Sequence, residues 1–444
     1  MDAEVRIERY ADQGRCVAHI DGRVVFVRFA LPGELVRIQL DEPHNRNDRF
    51  WTGEVVEVVE PGTNRVEPAW PLAGPLAFGG GVGGADLIHV SVAGQRAWKS
   101  AIISEQMRRL GHVDVDDVLV SGMEDDEHRH GLGWRTRIEM IADEQGRPSM
   151  RRRGSHVRVP LGGMPLATDA LAAVARSEHV WDGGFTPGAQ IRIAVPQPRT
   201  MTSNSEISET SANNYAIVVD GKLTAGSRSL TEHVLVCDAS DKPHDFAYTV
   251  DASGFWQMHR EAPNLLANEV LDLVRNALFD SLTLGSHAPV IWDLYSGSGL
   301  FTLPLATMVG ASDSADEASN PQVLAIEGAP LAVNNARRNI KRLDLNNVTA
   351  LVGDVSKTLR TAPSRLARPD VVVLDPPRAG AKKRVCEQIA QSGARSVIYV
   401  ACDPTSLARD TATLCTLGYE LCSVHGFDIY PSTHHVETIA YFRR

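Results

Sequence analysis

The 444-residue sequence predicts an α/β protein built in three parts. A small β-barrel is expected over residues 1–65, a central α+β domain over 66–255, and a doubly wound parallel sheet over 256–444. Three observations support this division. Short β-rich runs with turn residues fill the first part, Pro and Gly concentrate just after it, and strand-like runs alternate with helix-like segments from about residue 260.

Composition limits the class of protein. Hydrophobic residues make up 43% and charged residues 23%, which is typical of globular chains. No run approaches the ~18 apolar residues of a membrane span, and the N-terminus does not resemble a signal peptide. Six cysteines without a CxxC pair favour a cytoplasmic protein without disulfides. The net charge of −10 argues mildly against a nucleic-acid partner, although a basic face can coexist with it.

The first two parts contain distinct signals. The runs VVFVRF (24–29) and LVRIQL (35–40), bounded by Asp-Gly and Pro-Gly turns, predict a small barrel of the OB type. A Pro- and Gly-rich loop follows at 61–84. The central part should contain a helix over 98–110, strands over 136–143 and 190–196, and a polar loop over 200–214, with the strand order left open.

The third part places polar residues where successive strands end. In parallel sheets the carboxyl ends of the strands form the ligand-binding edge. A helix is expected over 330–343 and a polar surface insert over 312–320. The residues expected at this edge are Tyr295, Glu327, Asp354, Asp375 and Cys402.

Gly297 and Gly299 follow the first of these strands and precede a helix, which allows a tight turn and close approach of a ligand. An ordinary strand–helix turn is the alternative for this weak motif. Glu327 is placed to accept hydrogen bonds from ribose hydroxyls, and Asp354 to meet an adenine amino group. A nicotinamide dinucleotide also remains open, whereas the missing G-K-[ST] loop argues against NTP hydrolysis.

Cys402 stands before a helix expected to begin at Pro404 or Thr405. A helix N-terminus stabilises a thiolate, so the sequence predicts a lowered cysteine pKa and a nucleophile. The other cysteines are expected to pack in the core. Glu437 starts the last strand, either as a surface residue or as a desolvated base near the cysteine.

Six segments together resemble the RNA uracil-5-methyltransferase family, the S-adenosylmethionine enzymes that make 5-methyluridine in tRNA and ribosomal RNA. The likeness covers nearly the whole chain and includes the TRAM barrel that many members carry in front. The matching segments are GRCVAHIDGRVVFVRFALPGELV (14–36), FWQMH (255–259), DLYSGSGLFTLPLA (293–306), DPPRAG (375–380), CDPTSLARD (402–410) and HHVET (434–438).

The resemblance implies roles for single residues. Cys402 is the nucleophile that adds to carbon 6 of uracil, and Glu437 is the base that removes the carbon-5 proton. Apart from the resemblance, the chemistry makes Asp375 or Arg378 a candidate to hydrogen-bond the uracil edge and stabilise the enolate oxygen. The residues implied to line the S-adenosylmethionine site are Gln257, Tyr295, Gly297, Gly299, Leu300, Glu327, Asp354 and Asp375.

The chain departs from the family at several positions. Many TRAM-bearing members hold an iron–sulfur cluster on cysteines, but the matching stretches here have VGGADLIH (82–89), Ala69 or Trp70, Gly163 and Met164. No cluster and no other metal is therefore expected, because thiolates are needed to hold one. His259 and Leu300 stand where the family commonly has asparagine.

The RNA partner implied by the resemblance requires phosphate contacts and a flipped-out base. Arg151, Arg152 and Arg153 are the favoured phosphate contacts because they lie between the barrel and the third part. The segments 134–137, 337–342 and 382–384 are further candidates, and a solvated surface is the alternative for each. Two other functions stay open: methyl transfer to a substrate other than RNA, and an RNA-binding or folding factor without turnover.

Overall fold

The computed structural model describes residues 2–42, 44–45, 48–198, 213–282, 288–309 and 320–444. The predicted α/β fold class is confirmed, with three large sheets and a separate hairpin. Among these residues, none of the helices combines the length and the apolar character that crossing a membrane would require.

The N-terminal part is a six-stranded sheet that curves on itself. Its order is β1-β5-β6-β4-β3-β2, and β1 also approaches β3 near the opposite edge. Inward-facing residues alternate with exposed ones along each strand, so one face builds a core. The strands are β1 (Asp2–Arg6), β2 (Arg9–Ala11), β3 (Arg15–Ile20), β4 (Arg23–Arg28), β5 (Leu35–Leu40) and β6 (Trp51–Glu60).

The central part holds an antiparallel sheet of order β10-β9-β8-β11-β12-β13 and a hairpin formed by β14 and β15. The helices here are α1 (Val92–Gln106), α2 (Glu124–His128) and α3 (Asp169–Ser177). The strands are β7 (Val120–Gly122), β8 (Arg137–Ala142), β9 (Pro148–Arg151), β10 (Arg158–Pro160), β11 (Gln190–Ala194), β12 (Ala216–Val219), β13 (Lys222–Gly226), β14 (Ser229–Cys237) and β15 (Pro243–Asp251).

The C-terminal part is an eight-stranded sheet of order β18-β17-β16-β19-β20-β22-β21-β7. The first five strands are parallel, and β16, β17, β19 and β20 are buried on both faces, which explains their continuous apolar sequences, whereas the edge strand β18 is half-buried. The strands are β16 (Val290–Leu294), β17 (Gln322–Glu327), β18 (Val348–Val352), β19 (Val371–Leu374), β20 (Ser396–Ala401), β21 (Glu420–Asp428) and β22 (Glu437–Arg443). The helices are α4 (Ala262–Leu282), α5 (Thr302–Met308), α6 (Pro330–Arg342), α7 (Val355–Thr358), α8 (Lys382–Ser392) and α9 (Pro404–Thr416).

Three features differ from the sequence-based expectations. β7 lies in the range predicted for the central part but pairs with β21 in the C-terminal sheet. β21 itself was not predicted, and α1 starts at Val92 rather than at residue 98. The polar segments expected at 200–214 and 312–320 lie, except for their last residues, outside the described residues.

Candidate active site at the carboxyl edge of the C-terminal sheet

The turn after β16 forms a cradle of backbone amides. Tyr295 and Gly297 have φ values of 62° and 56°, a region that favours glycine and strains tyrosine. The Glu327 carboxylate fixes this turn, because it accepts hydrogen bonds from the amides of Gly297 at 3.1 Å and Ala329 at 2.6 Å. Two adjacent strand ends are thereby tied together where a ligand is expected.

A cavity of about 920 Å³ opens beside this cradle. Its walls combine aromatic and aliphatic side chains with a few carboxylates, as is typical of small-molecule sites. The predicted site residues that line it are Gln257, Tyr295, Gly297, Leu300, Glu327, Asp354, Asp375, Arg378, Cys402 and Glu437.

Gly299 is not among the residues that line the cavity, although a cofactor contact was predicted for it. Its φ is 92°, and a Cβ there would lie 3.5 Å from the Cβ of Ala336 on α6. The glycine therefore serves the turn and the approach of α6 to the sheet.

Burial raises the pKa of two carboxyl groups, Asp375 in the cavity wall and Asp293 near it. Burial, with Asp293 and Glu327 nearby, raises the pKa of Asp375 to about 7. Burial likewise raises the pKa of Asp293 to about 7, while Thr302 donates a hydrogen bond to it at 2.5 Å. Asp354, in contrast, caps α7 and is exposed, and the hydroxyl of Ser356 lowers its pKa.

The residues present fit the predicted S-adenosylmethionine. The Oε1 atom of Gln257 is buried and has no hydrogen-bond partner within the described part of the chain, so it is free to accept from a ligand. Glu327 and Asp354 offer acceptors for hydroxyl and amino groups at neighbouring strand ends. Carboxylates around an apolar cavity also suit a ligand that carries a positive charge.

Cys402 lies at the end of β20, and α9 begins at Pro404 with Asp403 as its cap. The predicted lowering of the cysteine pKa is wrong for this structure. Burial, together with the carboxyl groups of Glu437 and Asp375, raises the pKa of the Cys402 thiol to about 12, and Arg378 opposes this rise. Desolvation by burial is the largest cause of this rise.

Glu437 is the first residue of β22 and is 2% exposed. Burial and the nearby Asp375 raise its pKa well above the usual value, as the alternative of a desolvated base requires. Its Oε2 atom accepts a hydrogen bond from the hydroxyl of Tyr430 at 3.4 Å.

The structure places the predicted phosphate contacts in two different settings. Arg151 and Arg152 are exposed. Arg153 instead donates to the carbonyls of Ala73, Gly74 and Val82 at 2.6–2.8 Å, and its guanidinium packs over the ring of Phe29. This geometry argues against the expected phosphate contact of Arg153, because both terminal guanidinium nitrogens already donate to carbonyls and its Nε atom is buried.

Segment 134–137 does not provide surface charges either. Arg137 forms a buried ion pair with Glu232 at 2.6 Å. Arg135 lines the large cavity, is partly buried, and stacks on Trp134. These arginines belong to the interior and to the cavity wall.

Two charged or polar side chains among the cavity-lining residues that sequence reasoning did not assign are Arg135 and Tyr430. Arg135 was treated only as a possible phosphate contact, because its burial depends on the packing of β8. Tyr430 carried no signal in the sequence, since it follows β21, the strand that was not predicted.

A second cavity of about 370 Å³ shares Cys402, Arg378 and His435 with the large one. Its other walls include Asp12 and Arg28 of the N-terminal sheet. The N-terminal sheet therefore reaches the edge of the candidate site.

The stretch that matches the cluster-bearing region of the family packs as an apolar core. Trp70, Val82, Ala85 and Leu87 are buried there. In the described ranges, no group of three or more potential ligands is placed to hold a metal ion. The expected absence of an iron–sulfur cluster remains a prediction.

Comparisons with family models match two parts of this chain. Residues 278–444 match the model described as tRNA (uracil-5-)-methyltransferase. Residues 3–56 match the model of the TRAM domain.

Similar proteins extend the match to the whole chain. An uncharacterized RNA methyltransferase of Bifidobacterium longum is 62% identical over 100% of this chain and 97% of its own length. The 23S rRNA (uracil(1939)-C(5))-methyltransferase of Halomonas elongata is 30% identical over 98% of this chain and 88% of its own. The solved tRNA (uracil-54, C5)-methyltransferase of Pyrococcus abyssi, in complex with S-adenosyl-L-homocysteine, shares the fold with a TM-score of 0.65 at 18% identity, covering 99% of each chain.

Proposed function

This chain belongs to the RNA uracil-5-methyltransferase family, and from this premise we propose that it methylates carbon 5 of a uridine in 23S ribosomal RNA. It is an RNA methyltransferase that uses S-adenosylmethionine. The main support for the proposal is that Cys402 and Glu437 line the same cavity as the carboxylates at the carboxyl edge of the C-terminal sheet.

The choice of 23S ribosomal RNA follows the relative that is matched along nearly the whole chain. Transfer RNA is the second candidate, because the family model matched by residues 278–444 is described for tRNA.

S-adenosylmethionine supplies an electrophilic methyl group when it is bound. We assign its ribose hydroxyls to Glu327 and its adenine amino group to Asp354, and Gln257 offers its unpartnered amide oxygen. Tyr295 and Gly297 keep the turn open enough for a nucleoside to approach the backbone.

Cys402 activates the pyrimidine. Carbon 5 of uracil is a poor nucleophile, and addition of the Cys402 thiolate to carbon 6 turns the ring into an enolate that is electron-rich at carbon 5. Carbon 5 would then bond the methyl carbon while the bond between that carbon and the cofactor sulfur breaks. Arg378 lies close enough to lower the pKa of the Cys402 thiol, and it is a candidate for stabilising the enolate oxygen.

Glu437 completes the reaction. Once carbon 5 carries the methyl group, the Glu437 carboxylate removes the proton from carbon 5, the electrons of that bond form the carbon 5–carbon 6 double bond, and the sulfur of Cys402 leaves. A raised pKa suits a base that works near neutral pH.

RNA binding is assigned to the parts outside the C-terminal sheet. We retain the division into residues 1–65, 66–255 and 256–444, with the central part contacting RNA. Arg151 and Arg152 are exposed and remain the candidates for phosphate contacts, whereas Arg153 does not.

The test uses purified protein, S-adenosylmethionine with a labelled methyl group, and two substrates transcribed in vitro. These are a 23S ribosomal RNA domain and a set of transfer RNAs. We expect 5-methyluridine in the 23S transcript and none in the transfer RNAs, read by mass spectrometry of nucleosides. Methylation confined to transfer RNA would select the second candidate, and no methylation of either would reject the proposal.

A further inference from the structure

Tyr430 lies beside Glu437 in the wall of the large cavity. It follows β21 by two residues and lines the same cavity as Cys402 and Glu437. Its hydroxyl oxygen is 3.4 Å from the Oε2 atom of Glu437. Nothing in the reaction described above uses this hydroxyl.

Glu437 has a single hydrogen-bond donor among the described residues, and that donor is Tyr430. The Oε1 atom of Glu437 is buried and has no partner there. Burial and Asp375 favour the neutral form of Glu437, which cannot accept a proton. A hydrogen bond donated to the carboxylate acts in the opposite direction, because it stabilises the charged form.

The position of Tyr430 is fixed from three sides. The ammonium group of Lys99 donates to the Tyr430 carbonyl at 3.1 Å, and the Thr433 hydroxyl donates to it at 2.8 Å. The ring stands edge-on against Trp134 and His435, with centroids 6.2 and 6.1 Å away. The hydroxyl is therefore held close to Glu437 by its surroundings.

We propose that Tyr430 is a positioning residue for proton removal: its hydroxyl binds Oε2 of Glu437, favours the carboxylate, and leaves Oε1 free to take the carbon-5 proton. The inference rests on the proposed function. In the step that it supports, the proton passes to Oε1, the electrons of the carbon–hydrogen bond form the double bond, and the carbon–sulfur bond to Cys402 breaks.

Other charged or titratable groups also surround this pair, and they stay in place when Tyr430 is changed. They are Asp375 after β19, Arg378 in the following loop, Cys402 after β20, Arg135 before β8, Lys99 on α1, Asp428 at the end of β21, and His435 before β22. A change in pH dependence seen in a Tyr430 variant is therefore attributable to the lost hydroxyl.

The test is Tyr430→Phe, with the 23S transcript as substrate and decay of the covalent RNA adduct followed in single turnover. We expect decay about 10-fold slower, the usual effect of losing one hydrogen bond to a charged group. In the plot of this decay rate against pH, the acidic limb should move to higher pH, since Glu437 then protonates more readily. KM for the RNA should change less than about twofold, because Tyr430 acts through Glu437.

Tyr441→Phe is the matched control, because it removes the same hydroxyl from β22, where Tyr441 contacts Ser396. It should leave the pH profile unchanged. Replacement of Tyr430 by 3,5-difluorotyrosine, a more acidic phenol, should move the acidic limb to lower pH. It decides the question if Tyr430→Phe fails to fold.

An acidic limb that stays in place in both Tyr430 variants would overturn the inference. Glu437→Gln separates this failure from that of the proposed function. If that variant still traps the adduct, Glu437 remains the base and only the role of Tyr430 is lost. If it traps none, the proposed function fails first.

Discussion

The thiol of Cys402 lies in surroundings that oppose its ionisation. Burial and the carboxyl groups of Glu437 and Asp375 raise the pKa of this thiol, and the Arg378 guanidinium opposes the rise. The reactive thiolate is then a minor species in the protein without ligands. Such a site avoids adventitious oxidation and alkylation, because those reactions also need the thiolate.

The raised pKa of the buried Cys402 thiol predicts its slow alkylation. Iodoacetamide at pH 7 should modify exposed Cys422 faster than Cys402, and the rate at Cys402 should still be rising at pH 10, since the pKa of its thiol is raised to about 12. Mass spectrometry of the two peptides measures both rates. Faster modification of Cys402 than of Cys422 at pH 7 would contradict the role of burial.

The segment between β21 and β22 is held by α1. Gln95 accepts a hydrogen bond from the amide of Ser432 at 2.6 Å, and Lys99 pairs with buried Asp428 at 2.5 Å. Ser432 is fully buried with a φ of 64°, an uncommon conformation that the surrounding contacts maintain. Because this segment leads directly to Glu437, its rigidity positions the base.

Loss of the Lys99 ammonium should destabilise this arrangement strongly. Lys99→Met leaves Asp428 buried without its partner, which typically costs about 3–5 kcal/mol in the free energy of unfolding. The double variant Lys99→Met, Asp428→Leu should recover most of that loss, because no buried charge remains. Urea unfolding measures both.

The exposed ion pair between Arg37 and Glu57 provides the control, and breaking it should cost less than about 1 kcal/mol. A loss for Lys99→Met as small as that of the control would contradict the view that this buried pair holds the segment.

The strands β16 to β20, which carry most of the site, could be predicted from the sequence. The strand β21, which leads to Tyr430, could not. β16, β17, β19 and β20 are buried on both faces, so each reads as an apolar run followed by a polar or reactive residue. β21 lies beside the short edge strand β7 and mixes apolar and polar residues, so its sequence has no such signature. Tyr430 was missed for that reason.

The whole molecule brings three distant parts of the chain to one site. The N-terminal sheet contributes Arg28 to the cavity beside Cys402, and β7 extends the C-terminal sheet. Long-range pairing of this kind is not encoded by local periodicity. The motifs identified the edge of the sheet, whereas the burial of Arg135 and the structural role of Arg153 depend on tertiary packing.

Substitutions of the three neighbouring arginines should differ in their effect on RNA binding. Arg151→Ala and Arg152→Ala should weaken binding of the 23S transcript. Each lost phosphate contact should reduce the slope of the logarithm of the binding constant against the logarithm of the salt concentration by about 0.7–0.9. Arg153→Ala should instead lower the midpoint of thermal unfolding, since it removes three hydrogen bonds to carbonyls. Filter binding across a salt series and thermal unfolding make the comparison, and a salt effect confined to Arg153→Ala would reverse the assignment.

The most direct measurement is the capture of the covalent intermediate. Glu437→Gln, incubated with the 23S transcript and S-adenosylmethionine, should accumulate a protein–RNA adduct that survives denaturing electrophoresis and carries the transferred methyl group. Mass spectrometry of the digested adduct should locate the RNA on Cys402, and Cys402→Ala should form none. Full turnover by either variant, or an adduct on another residue, would contradict the proposed reaction.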